Sequence, residues 1–90
     1  MTVVLVPGAL RAEAGGESKL RVGAGTLGDV LSEVAEKWPR LHRRICDEQG
    51  QIRRYVNVYV DGEDCRRMAG LATPVGDSAE IHVLPSIAGG

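Results

Sequence analysis

The residues of this sequence that could take part in unusual chemistry lie at its end, in Ile87-Ala88-Gly89-Gly90. The α-carboxylate of Gly90 is charged and resonance-stabilised, so it becomes an electrophile only after activation, for example as an acyl-adenylate. Glycine suits a chain end that enters a narrow enzyme site, because it lacks Cβ and adopts dihedrals that other residues do not. The six residues from Pro85 span at most about 20 Å. We therefore expect a domain that presents its own C-terminus, with Ile87 and Ala88 anchoring the tail.

Conventional catalytic patterns are not indicated by the other reactive side chains. The histidines and cysteines are isolated, with no spacing that predicts a catalytic pair or a metal site, although such partners can also meet in space. The cysteines are expected to be reduced thiols, with one disulfide as the less favoured alternative. The glycine-rich segment 23–28 lacks the lysine of a phosphate-binding loop. We expect no catalytic side chain and no bound metal or cofactor. The histidines in question are His42 and His82, and the cysteines are Cys46 and Cys65.

The charge balance argues against whole classes of partner. Eleven basic and twelve acidic side chains give a net charge of −1, whereas nucleic-acid-binding proteins normally carry a basic excess. No apolar run approaches the ~20 residues of a membrane span, and no signal peptide is expected after Met1. These features predict a cytoplasmic protein that is a monomer when free. Three arginine pairs are either solvated or a docking rim for an acidic partner: Arg43-Arg44, Arg53-Arg54 and Arg66-Arg67.

The elements that must position the tail begin with a predicted hairpin. Residues 2–6 form a continuous apolar run before a proline and a glycine, which predicts a central strand. Residues 9–16 are expected to be an open loop. Residues 17–22 alternate between apolar and polar side chains, which predicts a half-buried second strand.

A helix is predicted next. Thr26 followed by Asp29 resembles a capping box, and Pro39 is expected to stop the helix. In the polar segment 40–53, Leu41 and Ile45 could form one helical turn against the core. The apolar stripe that needs a sheet to cover it comprises Leu27, Val30, Leu31, Val34, Ala35 and Trp38.

The second half of the chain predicts a clear strand at 55–60, a tight turn at 61–62, a short edge strand at 63–66 and a last strand at 79–84. Alternation puts three valines of the first of these strands on one face. The opposite face then carries Tyr55, Asn57 and Tyr59, and His82 of the last strand could share it.

The element order is β-β-α-β-(β)-β, with the two most apolar strands at the ends of the chain. We expect these two strands to lie side by side and parallel at the centre of the sheet. This predicts an α+β, ubiquitin-like β-grasp fold, with a mixed sheet of four to five strands and one main helix across one face. Residues 1–84 would form the domain, and residues 85–90 a flexible tail ending in Gly-Gly.

Three segments resemble the ubiquitin-like bacterial sulfur carrier proteins, which include the small subunit of molybdopterin synthase and the thiazole-biosynthesis carrier. They are Val56-Asn57-Val58-Tyr59-Val60-Asp61-Gly62-Glu63-Asp64, Gly70-Leu71-Ala72-Thr73-Pro74 and Leu84-Pro85-Ser86-Ile87-Ala88-Gly89-Gly90. Within this superfamily the chain is most similar to the actinobacterial cysteine-biosynthesis carriers. It departs from the common pattern at Gly76-Asp77-Ser78, which affects the turn before the last strand.

The resemblance implies that an E1-like enzyme uses ATP and magnesium to adenylate the Gly90 carboxylate, which a sulfur donor converts to a thiocarboxylate. A downstream synthase of cysteine, thiamin, molybdopterin or secondary-metabolite biosynthesis would then take the sulfur. The chain would be a co-substrate and not an enzyme, and Pro85, Ile87, Ala88 and Gly89 would be recognised as the tail. The implied partner interface comprises Tyr55, Asn57, Tyr59, Met68, His82 and Leu84.

Two alternatives remain open. The chain could be a ubiquitin-like modifier that is conjugated to lysines through Gly90, or a β-grasp interaction module that needs no free terminus.

Overall fold

In the computed structural model, which describes residues 1–85, the sheet has five strands in the order β2-β1-β7-β4-β5, and a two-stranded sheet pairs β3 with β6. The strands are β1 (Thr2–Leu5), β2 (Lys19–Val22), β3 (Gly25–Thr26), β4 (Val56–Val60), β5 (Glu63–Asp64), β6 (Pro74–Val75) and β7 (Glu80–Pro85). The helices are α1 (Leu27–Lys37) and α2 (Pro39–Ile45), with 3₁₀ turns at Gly8–Ala14, Cys65–Arg67 and Gly70–Ala72.

The first and last strands are neighbours, as predicted. β1 pairs in parallel with β7 and antiparallel with β2, and β7 pairs antiparallel with β4 on its other side. Alternate side chains of these four strands point to one face and form the sheet side of the core. They are Val4, Leu20, Val22, Val56, Val58, Val60, Ile81 and Val83.

Helix α1 begins where the sequence predicts. The Asp29 N–H donates to Thr26 Oγ1 at 3.1 Å, and the Thr26 N–H donates to Asp29 Oδ2 at 3.0 Å, so the capping box is complete. Pro39 follows the end of α1, as expected, but it also begins α2, because a first-turn proline needs no N–H partner. Leu41 and Ile45 are buried on α2, so the expected single turn is a seven-residue helix.

Several sequence predictions need correction. The expected loop at 9–16 is largely a 3₁₀ segment, because Leu10 and Ala14 are buried in the core. The edge strand predicted at 63–66 is two residues long and turns at Cys65, whose side chain is also buried. β4 begins at Val56 and β7 continues through Pro85. Within residues 1–85, no helix is long and apolar enough to span a bilayer.

Candidate functional site

The face of the main sheet opposite the core carries side chains that are half-buried or exposed. We define this open face by one residue of β1, one of β2, and two each of β4 and β7, which alternate with the buried valines and leucines of the same strands. They are Leu5, Lys19, Asn57, Tyr59, His82 and Leu84.

Strand register places four of the predicted interface residues together. His82 lies opposite Leu5 on β1 and opposite Tyr59 on β4, and Leu84 lies opposite Asn57. Directly opposed side chains of an antiparallel pair are about 4.5–5.5 Å apart at Cβ, so Tyr59 is in contact range of His82, and Asn57 of Leu84. The alternation argument is therefore confirmed for Asn57, Tyr59 and His82.

The open face leads directly to the chain terminus. Leu84 is 47% exposed although its strand is central, and Pro85, opposite Val56, ends the strand. Pro85, which the sequence predicts to be the first residue of the tail, still pairs with the sheet. The remaining predicted tail residues, Ile87, Ala88, Gly89 and Gly90, lie outside the described residues.

Two predicted interface residues lie apart from these strands. Tyr55 is 45% exposed and occupies the turn before β4, so strand alternation does not govern its direction. Met68 is 40% exposed and follows the 3₁₀ turn after β5. Both are accessible, but neither belongs to the open face as defined above.

Arg66, which the sequence presents only as a member of an arginine pair, contacts the open face at Asn57. Its Nη1 donates to Asn57 Oδ1 at 3.1 Å, and its Nη2 donates to the carbonyl oxygen of Arg53 at 2.9 Å. Arg53 in turn donates from Nε to the carbonyl oxygen of Arg43 at 2.9 Å. The side chains of Arg53 and Arg66 thus link neighbouring segments, and Arg66 brings a positive charge beside Asn57. The signal that could have located it is the sharp turn after β5, which folds residue 66 back toward β4.

The side chains of His82 and Leu84 form a ridge with a groove on each side. The β1-side groove, of about 320 Å³, also includes Leu5, Pro7, Arg11 and Lys19. The β4-side groove, of about 200 Å³, is completed by Tyr59 and Gly62. Both grooves flank the strand that ends at the tail, which is the arrangement expected of a docking surface rather than of an enclosed active site.

The reactive side chains do not assemble into a catalytic group in the described part of the chain. Cys46 and Cys65 are buried free thiols, and burial raises the pKa of Cys46 to about 11 and raises the pKa of Cys65 as well. Burial also lowers the pKa of His42. His42 lines a separate groove of about 420 Å³ beside α1, and no cysteine lines it. Among residues 1–85, no cluster of three potential metal ligands occurs.

Comparison with known proteins gives the decisive observation, since the family model of ThiS matches residues 4–90. The chain belongs to the ThiS family. The predicted resemblance to ubiquitin-like sulfur carriers is therefore confirmed, and so is the β-grasp fold.

Named relatives of this ThiS-family chain agree with that assignment. It is 36% identical over 89 residues to the sulfur carrier protein CysO of Mycobacterium tuberculosis, a match that covers 97% of this chain and 96% of the relative. It is also 34% identical over 65 residues to small archaeal modifier protein 3 of Haloferax volcanii, which covers 72% of this chain and 70% of the relative.

Solved structures extend the similarity to the fold. The structure of a BexX/CysO complex from Amycolatopsis orientalis contains a chain that matches with a TM-score of 0.90 at 31% identity, covering 100% of both chains. The structure of CysO from M. tuberculosis matches with a TM-score of 0.87 at 32% identity, covering 97% of this chain and 100% of the other.

Proposed function

We propose that this chain carries sulfur as a thiocarboxylate on Gly90. The observation that carries the proposal is the ThiS-family match, which continues through the terminal Gly89-Gly90. The open face supports it, because a central strand, β7, leads the chain from a docking surface into the terminal residues.

The chemistry would proceed in two displacements on a partner enzyme. A carboxylate oxygen of Gly90 attacks the α-phosphate of ATP, with magnesium held by the partner, and pyrophosphate leaves. A sulfur nucleophile from the donor then attacks the acyl carbon, and AMP leaves with the electron pair of the broken C–O bond. The chain supplies the acyl group and no catalytic side chain, so it acts as a co-substrate.

The partner interface would centre on the ridge of His82 and Leu84. An exposed leucine flanked by grooves provides apolar area that a partner can bury, and interface energy is commonly concentrated in such central apolar contacts. Asn57 and Tyr59 extend this area across β4, while Tyr55 and Met68 lie at its periphery. The tail residues Ile87, Ala88 and Gly89 would then enter the active site of the activating enzyme, and Pro85, which pairs with the sheet, would lie at its entrance.

The direct test is intact-mass analysis after incubation with an E1-like activating enzyme, ATP, magnesium and sulfide. Exchange of one oxygen for sulfur at the C-terminus is expected, and deletion of Gly90 should abolish it. The core is built from residues between Val4 and Val83, so the truncated protein should keep the same unfolding midpoint. An unmodified wild-type mass under conditions that convert a known carrier would refute the proposal.

A second candidate function, conjugation to lysines through Gly90, is favoured by the similarity to small archaeal modifier protein 3. Both functions use the same adenylated terminus, so activation does not separate them. Isopeptide-linked Gly-Gly remnants on other proteins, found by mass spectrometry after digestion, would support conjugation. Appending a C-terminal tag separates both functions from a simple interaction module, since only the module should tolerate the tag.

Among possible sulfur acceptors, we propose an enzyme of cysteine biosynthesis, because similarity to CysO extends over 97% of the chain. Transfer assays with loaded protein and a cysteine synthase, compared with synthases for thiazole and molybdopterin, would test the assignment. Sulfur transfer to only one of the other synthases would instead assign that synthase as the acceptor.

A further inference from the structure

The β1-side groove combines an apolar floor with two positive charges. Leu5, Pro7 and Leu84 supply apolar surface, and Arg11 and Lys19 supply the cations. No acidic side chain lines the groove. A surface of this composition is complementary to a chain segment that carries an apolar side chain next to a carboxylate.

Within the described part of the chain, the charges of Arg11 and Lys19 remain free to pair with another protein. Arg11 donates from Nε to the carbonyl oxygen of Val6 at 3.1 Å, which fixes its guanidinium at the groove. Neither Arg11 nor Lys19 forms an ion pair with a carboxylate of residues 1–85. The acidic residues of this sheet do not line the groove: Glu80 lies opposite Val3, with its carboxylate 3.7 Å from His82 Nε2, and Glu63 and Asp64 lie on the edge strand β5.

The position of the groove selects the kind of partner. Leu84 lines the groove and is followed by Pro85, the last residue of β7, so an enzyme that acts on Gly90 must bind within about 20 Å of this surface. Ordered positive charge at this distance would also orient the incoming partner before the tail enters its active site.

We propose that the β1-side groove is the binding site for an acidic, apolar-containing segment of the activating enzyme. The carboxylates of that segment pair with Arg11 and Lys19, and its apolar side chain packs between Pro7 and Leu84. This inference rests on the proposed function, since it names the surface through which the activating enzyme recognises the carrier.

Steady-state adenylation with the activating enzyme tests the groove. Lys19→Glu and Arg11→Gln should each raise KM for the carrier, and Lys19→Glu should do so by about tenfold at low salt, with little change in kcat. The difference between wild type and Lys19→Glu should shrink as salt increases. The matched control is Arg21→Glu, which reverses a charge that is also exposed, on the same face of β2, two residues from Lys19 and outside the groove.

The outcomes are distinguishable. If wild type is not adenylated, the proposed function fails. If wild type is adenylated but Lys19→Glu and Arg21→Glu shift KM equally, the function stands and the groove assignment is wrong. If Lys19→Glu lowers KM, and NMR contacts join residues 86–90 to Lys19 in the free protein, the chain's own C-terminus is the occupant and the proposal is overturned.

Cross-linking identifies the occupant directly. A benzophenone side chain at position 18, where Ser18 lines the groove and is exposed, should capture a partner peptide that contains Asp or Glu near an apolar residue. The same probe at position 21 should capture that peptide far less. Capture of a basic peptide, or equal capture from both positions, would contradict the assignment.

Discussion

Leu84 and Val83 are consecutive residues of β7 in opposite environments. Leu84 is 47% exposed on the open face, whereas Val83 is 2% exposed in the core. The same truncation should therefore have different consequences at the two positions, because one side chain serves association and the other serves folding.

We predict that Leu84→Ala raises KM for the activating enzyme by about tenfold and changes the free energy of unfolding by less than about 0.5 kcal/mol. Val83→Ala should instead destabilise the fold by about 1–3 kcal/mol, through lost burial and the cavity left behind, with a much smaller change in KM. Chemical unfolding and adenylation kinetics on both variants check this. A large loss of stability in Leu84→Ala would show that its exposed side chain still supports the core.

Asp29 links the cap of α1 to the pH dependence of stability. Hydrogen bonds from the Thr26 backbone N–H and then from its side chain lower the pKa of Asp29 below its ordinary value of 3.8. A carboxyl group with a lowered folded-state pKa contributes stability above its unfolded pKa, and the contribution is lost as pH falls through the folded pKa.

We therefore predict that Asp29→Asn flattens the fall in unfolding free energy between about pH 5 and about pH 2. Asn can still accept from the Thr26 N–H, so the variant mainly removes the titration. Glu33, whose pKa is lowered first by the Gly23 N–H and then by Lys37, keeps part of the slope. Asp77→Asn, at an exposed turn position, is the control. An unchanged slope in Asp29→Asn would show that the capping box does not govern acid sensitivity.

At the scale of elements, the β4–β5 hairpin depends on its turn. Asp61 and Gly62 have φ values of 51° and 87°, so both central residues occupy the left-handed region, as in a type I′ turn. A Cβ at Gly62 would meet no atom within 4 Å, so a substitution there tests backbone conformation alone.

Gly62→Ala should destabilise the protein by about 1–2 kcal/mol, the cost of a left-handed conformation for a residue with Cβ. Gly76→Ala is the matched control, because its φ is not positive and its Cβ would also meet nothing within 4 Å. That substitution should be neutral or slightly stabilising, since it restricts the unfolded chain. Equal unfolding midpoints for the two variants in a denaturant titration would argue against the turn assignment.

Periodic elements were predictable from the sequence, whereas short irregular ones were not. Helix α1 carries both a capping signal and a long apolar stripe, and β4 alternates without interruption. The 3₁₀ segment at Gly8–Ala14 has only Leu10 and Ala14 as buried anchors between glycines, a spacing that resembles a loop. The β3–β6 pair is two residues long on each strand, too short to show a period.

At the scale of the whole molecule, sulfur chemistry is expected to concentrate at one end. The two cysteines of the chain are buried, and the pKa of Cys46 is raised to about 11, so its thiolate population near neutral pH is very small. A loaded carrier would then hold its most nucleophilic sulfur at Gly90.

We predict that iodoacetamide labels the loaded native protein at the C-terminus within minutes at about pH 8, while both cysteines stay unmodified. In denaturant, the two cysteine thiols should react as well as the thiocarboxylate. The unloaded protein is the control and should resist labelling in its native state. Modification of Cys46 or Cys65 in the folded, unloaded protein, seen by peptide mapping, would contradict the predicted protection.

Part of the candidate site could be predicted from the sequence, because it follows from alternation within single strands. The rest depends on which strands and segments pack together. Alternation along β4 and β7 placed Asn57, Tyr59 and His82 on one face. Arg11 and Lys19 could not be placed, because their proximity to Leu84 depends on the parallel β1–β7 register and on the path of the 3₁₀ segment. Neither of these follows from a single stretch of residues.

The position of β7 between β1 and β4 also has a mechanical consequence. A force applied to Pro85 along the strand axis would load the hydrogen bonds of both neighbouring ladders in shear, so that they must break together rather than one after another. Traction on the terminus by an enzyme would therefore be resisted by the centre of the sheet. Pulling on the residues after Pro85 is therefore expected to leave the fold intact.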